Sequence, residues 1–125
     1  MFFQSLLQSS YQEARDYFSS AERISPNFWK ANQYYLGETE HKLGNNEEAL
    51  HWLKSAIRLP VKSRDDEEFQ EKALQLLKKV DSSGEEYNRA IRFEEDRKKQ
   101  QKLLQESEDL ERQAAEEVDE ASIRR

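Results

Sequence analysis

A chain of 125 residues carrying 20 Lys and Arg against 26 Asp and Glu, with net charge −6, has room for one ordinary domain. At 37% charged residues and a mean hydropathy of −1.12, it is too polar to pack evenly along its length. The absence of Cys excludes a disulfide framework and a thiolate metal site, and no apolar run approaches the ~18 residues that cross a bilayer.

Met1-Phe2-Phe3 is apolar but lacks the basic flank and length of a secretory signal. The polarity is uneven. Residues 1–80 carry a net −1, residues 81–125 a net −5, and Phe93 is the one Phe or Trp in the second part. Few Gly and Pro are present, so long helices are expected.

Residues 3–8 are expected to end a helix near Ser9-Ser10. Tyr11 to Ile24 is amphipathic, with Tyr11, Ala14, Phe18 and Ala21 recurring at steps of three and four. Ser25-Pro26 stops it and offers the next helix a start, since Ser caps and Pro suits the first helical turn. That next helix runs to about Leu43, with Trp29, Leu36 and Leu43 seven apart, and Gly44-Asn45 makes the turn. A further helix from about Asn46 to Leu59 buries Ala49, Trp52, Leu53, Ala56 and Ile57. Phe18, Trp29 and Trp52 are assigned to the core and to packing between helices.

Pro60 to Arg64 reads as a linker, after which Asp65 and Asp66 offer N-caps. The helix they open carries Phe69, Ala73, Leu76, Leu77 and Val80 and covers the preceding one, and Asp81-Ser82-Ser83-Gly84 breaks it. From Glu85 to about Ala121 neither Gly nor Pro interrupts. Glu85/Arg89, Glu94/Lys98, Glu95/Lys99, Glu108/Arg112 and Glu120/Arg124 are spaced i,i+4, each adding only about 0.2–0.5 kcal/mol. The expected fold is all-α: a compact helical domain over 1–80, a linker over 81–84, and a charged, partly frayed helix over 85–125. Pairing of that helix as a coiled coil is expected to be weak, because its apolar positions are sparse.

A spacing repeats within the first part. Ala14 and Ala49, Phe18 and Leu53, and Ala21 and Ala56 each lie 35 residues apart. With Leu36-Gly37 opening the second unit, this fits the tetratricopeptide pattern of about 34 residues. Such units stack to bury their apolar faces and build a groove, which points to holding a partner. Gly37 and Ala49 are small where two helices approach closely.

The run Tyr11-Gln12-Glu13-Ala14, Tyr17-Phe18, Ala21-Glu22, Pro26-Asn27-Phe28, Leu36-Gly37, Thr39, Lys42-Leu43, Trp52-Leu53, Ala56, Pro60 and Asp66 resembles the regulator of microtubule dynamics family over roughly residues 5–80. The resemblance implies a helical-repeat domain without catalysis, associated with microtubules and spindle poles. In membrane-anchored members it implies a role at contacts between endoplasmic reticulum and mitochondria, with binding or transfer of phospholipids. It implies a cytoplasmic or cytoskeletal location, and a membrane anchor only through a segment upstream of this sequence. Family members carry more helices upstream, so the first repeat here is expected to hold a stub of its A helix. The residues after Val80 have no counterpart in the resemblance.

The helix carrying Leu36 and Gly37 places Tyr34, Glu38, His41 and Lys42 on the inner face, a set that can hold a peptide by hydrogen bonds and an ion pair. His41 and His51, dispersed and without Cys, do not make a zinc site. No nucleophile triad, phosphate loop or HExxH is present, and no cofactor is implied. Arg89, Arg92, Arg97, Lys98, Lys99 and Lys102 form a basic cluster, net +3 over 89–102, followed by a stretch of net −7 over 106–120. The acidic stretch argues against nucleic acid. The cluster is the sequence's candidate contact to acidic tubulin. The expected function is a non-enzymatic, cytoskeleton-linked adaptor for a protein partner. Phospholipid binding, or a structural role in a larger assembly, is the alternative. Weak self-association is expected through the tail or the uncovered face near Tyr17, Phe18 and Ile24.

Overall fold

In the computed structural model, the backbone is described for residues 2–124 and the side chains for residues 5–124. The fold is all-α, with five helices: α1 Phe2–Ile24, α2 Lys30–Lys42, α3 Asn46–Arg58, α4 Arg64–Val80 and α5 Glu85–Ile123. The chain divides into two compact units, one running to Ala90 and one beginning at Ile91. The first unit extends beyond Val80 because Ala90, in the second turn of α5, packs in its core.

That core is built from Ala49, Leu53 and Ile57 of α3 and Ala73, Leu77 and Val80 of α4, with Tyr34 of α2 and Ala90. α2 and α3 form a close helical hairpin. A Cβ on Gly37 would lie 2.8 Å from Cγ and Cδ2 of Leu53 and 3.4 Å from the Ala49 carbonyl oxygen, so the small residue is required there. Gly44 turns the chain at φ 82°. The Gly44 amide donates to the His41 carbonyl at 3.0 Å and the Asn45 amide to the Glu40 carbonyl at 2.8 Å, a Schellman closure of α2.

α2 packs against α1, α3 and α4, and its surroundings explain its polarity. Lys30, Asn32, Gln33, Thr39 and Glu40 are all buried. The Lys30 ammonium donates to the carbonyls of Ala56 (2.6 Å) and Leu59 (2.5 Å) and to Oε1 of Gln70 (2.7 Å). Gln70 Nε2 donates to the Ile57 carbonyl at 3.0 Å. The carbonyls left open at the end of α3 thus find side-chain donors within the fold.

Four expectations are corrected. α1 runs through Ser9-Ser10 without a break, since Ser weakens a helix only slightly and no Gly or Pro stands there. α2 begins at Lys30 and not at Ser25-Pro26, because Asn27 turns the chain at φ 58°. Phe28 and Trp29 therefore precede the helix and are exposed, at 80% and 61%; Trp29 is not a core residue, and Trp52 is half-buried. The N-cap of α4 is Ser63, whose Oγ accepts the Asp66 amide at 3.1 Å, while Asp66 accepts the Lys62 amide at 2.9 Å in the manner of a capping box.

The 35-residue pairs are not equally buried. Ala49, Leu53 and Ala56 are fully buried, whereas Ala14, Phe18 and Ala21 are half-buried. α3 is packed between α2 and α4, while α1, among the described residues, packs against α2. In α5, Arg89 pairs with Glu86, and Arg112 with Asp109, at i,i+3 spacing where i,i+4 partners were expected.

Candidate functional site: a lysine-flanked groove between α2 and α4

α2 and α4 meet along an aromatic seam. Tyr34 and Tyr35 of α2 lie 5.7 Å and 5.5 Å, ring centroid to centroid, from Phe69 of α4. Phe18 of α1 stacks on Tyr35 at 5.4 Å, so α1 is drawn into the same seam. Tyr34 sits deepest, and its hydroxyl donates to Oε2 of Glu38 at 3.0 Å, one turn on. Burial, and then the neighbouring Glu38 carboxylate, push the Tyr34 phenol up to about 12, so it remains a donor across the physiological range.

Beside Tyr34 opens a groove of about 230 Å³, lined by Tyr34 and by Lys72, Gln75, Leu76 and Lys79 of α4. Lys72 and Lys79 are two turns apart, with Cα atoms about 10 Å apart along the helix. The Lys72 ammonium lies 5.0 Å above the Phe69 ring centroid, which holds one wall in place. The groove thus combines an apolar floor, a phenol and two ammonium groups.

Of the inner-face set, the structure joins Tyr34 to Glu38. Neither Glu38, His41 nor Lys42 lines the groove; His41 is half-buried with its Nδ1 enclosed, and Lys42 is exposed. The basic cluster Arg89, Arg92, Arg97, Lys98, Lys99 and Lys102 does not form one face. At about 100° per residue, Lys98, Lys102, Lys99 and Arg92 spread over about 120° of the helix, with Arg89 and Arg97 further round. Arg97 is also paired with Glu94, and Arg89 with Glu86. Sequence reasoning missed Lys72, Gln75 and Lys79. Their one trace in the sequence is the seven-residue spacing of Lys72 and Lys79; that this pair faces Tyr34 is set by the packing of α4 on α2.

Two other hollows lie in the first unit. One of about 290 Å³ is lined by Asn27, His51, Lys54, Ser55, Arg58 and Leu59; its Lys54 is paired with Glu86 at 3.1 Å. The other, about 280 Å³ and mostly apolar, lies among Ala21, Ile24, Phe28, Trp29 and Asn32. Its rim is held by the Glu22 carboxylate, which accepts both the Asn27 amide and Gln33 Nε2 at 2.9 Å. Among the described residues no group of three or more His, Cys, Asp or Glu could hold a metal ion. No helix among them is long and apolar enough to cross a membrane.

The helices that build the groove fall within one stretch of sequence that has known relatives. Residues 1–81 match the family described as regulator of microtubule dynamics protein 1-3. The chain belongs to this family. It is 42% identical over 69 residues to regulator of microtubule dynamics protein 1 of Rattus norvegicus, covering 55% of this chain and 22% of that protein. The human protein 1 is 39% identical over 77 residues, 62% of this chain and 24% of its own. Regulator of microtubule dynamics protein 3 of Mus musculus is 38% identical over 68 residues, 54% of this chain and 14% of its own. The match therefore spans a quarter or less of each relative. No solved structure matches the chain. α4 and its groove lie inside the family region, and the whole of α5 lies outside it.

Proposed function

We propose that the first unit is a non-enzymatic, tetratricopeptide-like interaction module that links this chain to microtubules by holding an acidic segment in the groove between α2 and α4. Family membership supports the microtubule connection, since the relatives are named as regulators of microtubule dynamics. The observation that carries the choice of surface is the pair Lys72 and Lys79, flanking Tyr34 and Leu76. A peptide in the polyproline II conformation rises about 3.1 Å per residue with three residues per turn, so carboxylates three residues apart lie on one side and can meet two ammonium groups about 10 Å apart. Leu76 then receives an apolar side chain between them.

Co-sedimentation of the full chain with polymerised tubulin tests this. The Lys72→Glu/Lys79→Glu variant should bind about tenfold more weakly, a loss of roughly 1.4 kcal/mol. Reversal of Arg97, Lys98 and Lys99 should matter less. The opposite ranking would place the contact on α5.

Phospholipid binding is the second reading, favoured by Ile24, Phe28 and Trp29, exposed around their apolar hollow. Such side chains suit insertion among acyl chains. Flotation with phosphatidylcholine vesicles, with and without phosphatidic acid, tests it against Phe28→Ser/Trp29→Ser. Flotation unchanged by the double substitution removes this surface from consideration.

A further inference from the structure

Beyond the family region, the second unit carries a surface that the groove does not use. α5 continues as an uninterrupted helix to Ile123, and Leu103, Leu104, Leu110 and Val118 are 62–66% exposed along it. These side chains are not scattered. At about 100° per residue, Leu103, Leu110, Ala114 and Ala121 fall within about 40° of one line, and Val118, Leu104 and Ala115 widen it to an apolar stripe of about 140°. Ser107 and Glu111 lie inside it. The rest of the helix surface from 103 to 121 is almost wholly Glu, Asp, Gln and Arg.

The charges beside the stripe select its occupant. They are segregated along the helix: Lys99 and Lys102 precede Leu103, and Glu117 and Glu120 follow Ala114, all on the same flank by the same helical spacing. In a parallel pair the acidic ends would face each other and repel. In an antiparallel pair centred near Leu110, Lys99 meets Glu120 of the other copy, Lys102 meets Glu117, and on the opposite flank Glu108 meets Arg112. Each of these occurs twice by symmetry. The same register brings Leu110 against its own symmetry mate and Leu103 beside Val118. A helix complementary to this one, with basic and acidic ends reversed, is supplied by a second copy of the chain turned end for end.

We propose that the stripe Leu103–Leu110–Ala114–Val118–Ala121 is a self-association surface, on which two copies of this chain pair through antiparallel α5 helices. The interface is isologous, as a two-fold pair requires. Its apolar stripe is short and broken at Glu111, so the dimer forms in the micromolar range and exchanges readily. It brings two copies of the helical domain into one particle, so that a weak groove can act twice on a repeating partner lattice.

Sedimentation velocity and oxidative cross-linking of the full chain test this. The wild type should shift from monomer to dimer across low to high micromolar concentration, and Leu103→Glu/Leu110→Glu should remain monomeric throughout. Lys99→Glu/Lys102→Glu, or Glu117→Lys/Glu120→Lys, should each weaken the dimer about tenfold at low salt, from four exposed pairs per dimer. A mixture of the two charge variants does not report orientation cleanly, but combining all four substitutions in one chain should restore wild-type affinity. Because the chain has no Cys, orientation is read directly from single-cysteine variants. Gln100→Cys mixed with Ala121→Cys should cross-link to each other in preference to themselves. A chain monomeric at every concentration overturns the proposal and leaves the stripe to a different protein. A dimer untouched by Leu103→Glu/Leu110→Glu overturns the surface, and preferential Gln100→Cys self-cross-linking overturns the antiparallel arrangement.

Discussion

Replacement of Gly37 by Ala should destabilise the first unit, although Ala is the better helix former. In an open helix the change gains about 1 kcal/mol. Here the new Cβ falls 2.8 Å from Cγ and Cδ2 of Leu53, against the ~3.5–4.0 Å at which carbon atoms sit comfortably. Leu53 has no exposed surface and is embedded with Ala49, Ile57, Ala73 and Leu77, so it cannot swing aside. Overpacking of this kind costs about 1–3 kcal/mol. The net loss is about 1 kcal/mol, a fall in Tm of about 4–8 °C for a unit of this size. Thermal melts of the full chain by circular dichroism measure it. The cause is isolated by a second background: once Leu53→Ala has removed the obstructing atoms, Gly37→Ala should become neutral or stabilising. A gain in Tm from Gly37→Ala in the wild-type background would refute the close approach of α2 and α3.

Three further outcomes are expected. Lys30→Met keeps most of the stem volume but strips donors from the Ala56 and Leu59 carbonyls and from Gln70, and should lower stability by about 2–3 kcal/mol in denaturant melts; an unchanged midpoint would contradict it. The Asp81 carboxyl is held below its usual value chiefly by the Tyr87 amide, which donates to it at 3.0 Å, and also by Ser83. Its depressed value adds stability that is present above the unfolded-state pKa of about 3.9 and is lost as pH falls through the folded value. Asp81→Asn should flatten the acid side of the stability profile. The Tyr34 phenol, raised to about 12, should ionise above the ordinary phenol value of about 10 in an ultraviolet titration. Tyr34→Phe should remove that late step, and an alkaline limb identical to wild type would show that Tyr34 is not buried as described.

Legibility in the sequence followed the chemistry of burial. α3 was legible because Ala49, Leu53, Ala56 and Ile57 are apolar at helical spacing and are buried for that reason. α4 and the length of α5 were legible from the absence of breakers and from their polar-apolar alternation. α2 was only half legible. It is buried through Lys30, Asn32, Gln33, Thr39 and Glu40; Lys30 and Asn32 donate to carbonyls of distant residues, Gln33 Nε2 donates to Glu22 and Asn27, and Glu40 pairs with Arg15 and Asn45, partners that no local pattern reveals. Phe28 and Trp29 misled in the opposite sense. Aromatic residues suggest core, but the turn at Asn27 delays the helix by a turn and leaves both rings outside. Tyr34 was legible as a site residue from its place on the Leu36-Gly37 helix. Lys72 and Lys79 were not, because which face of α4 borders Tyr34 is decided by tertiary packing.

The most direct measurement is salt-dependent co-sedimentation of the full chain with microtubules, wild type beside Lys72→Glu/Lys79→Glu. Binding through the groove should weaken as salt rises, since exposed charges are screened over about 8 Å at physiological ionic strength. The double variant should bind about tenfold more weakly at low salt while its circular-dichroism spectrum stays unchanged. Equal binding by wild type and variant at every salt concentration would contradict the assignment of the groove.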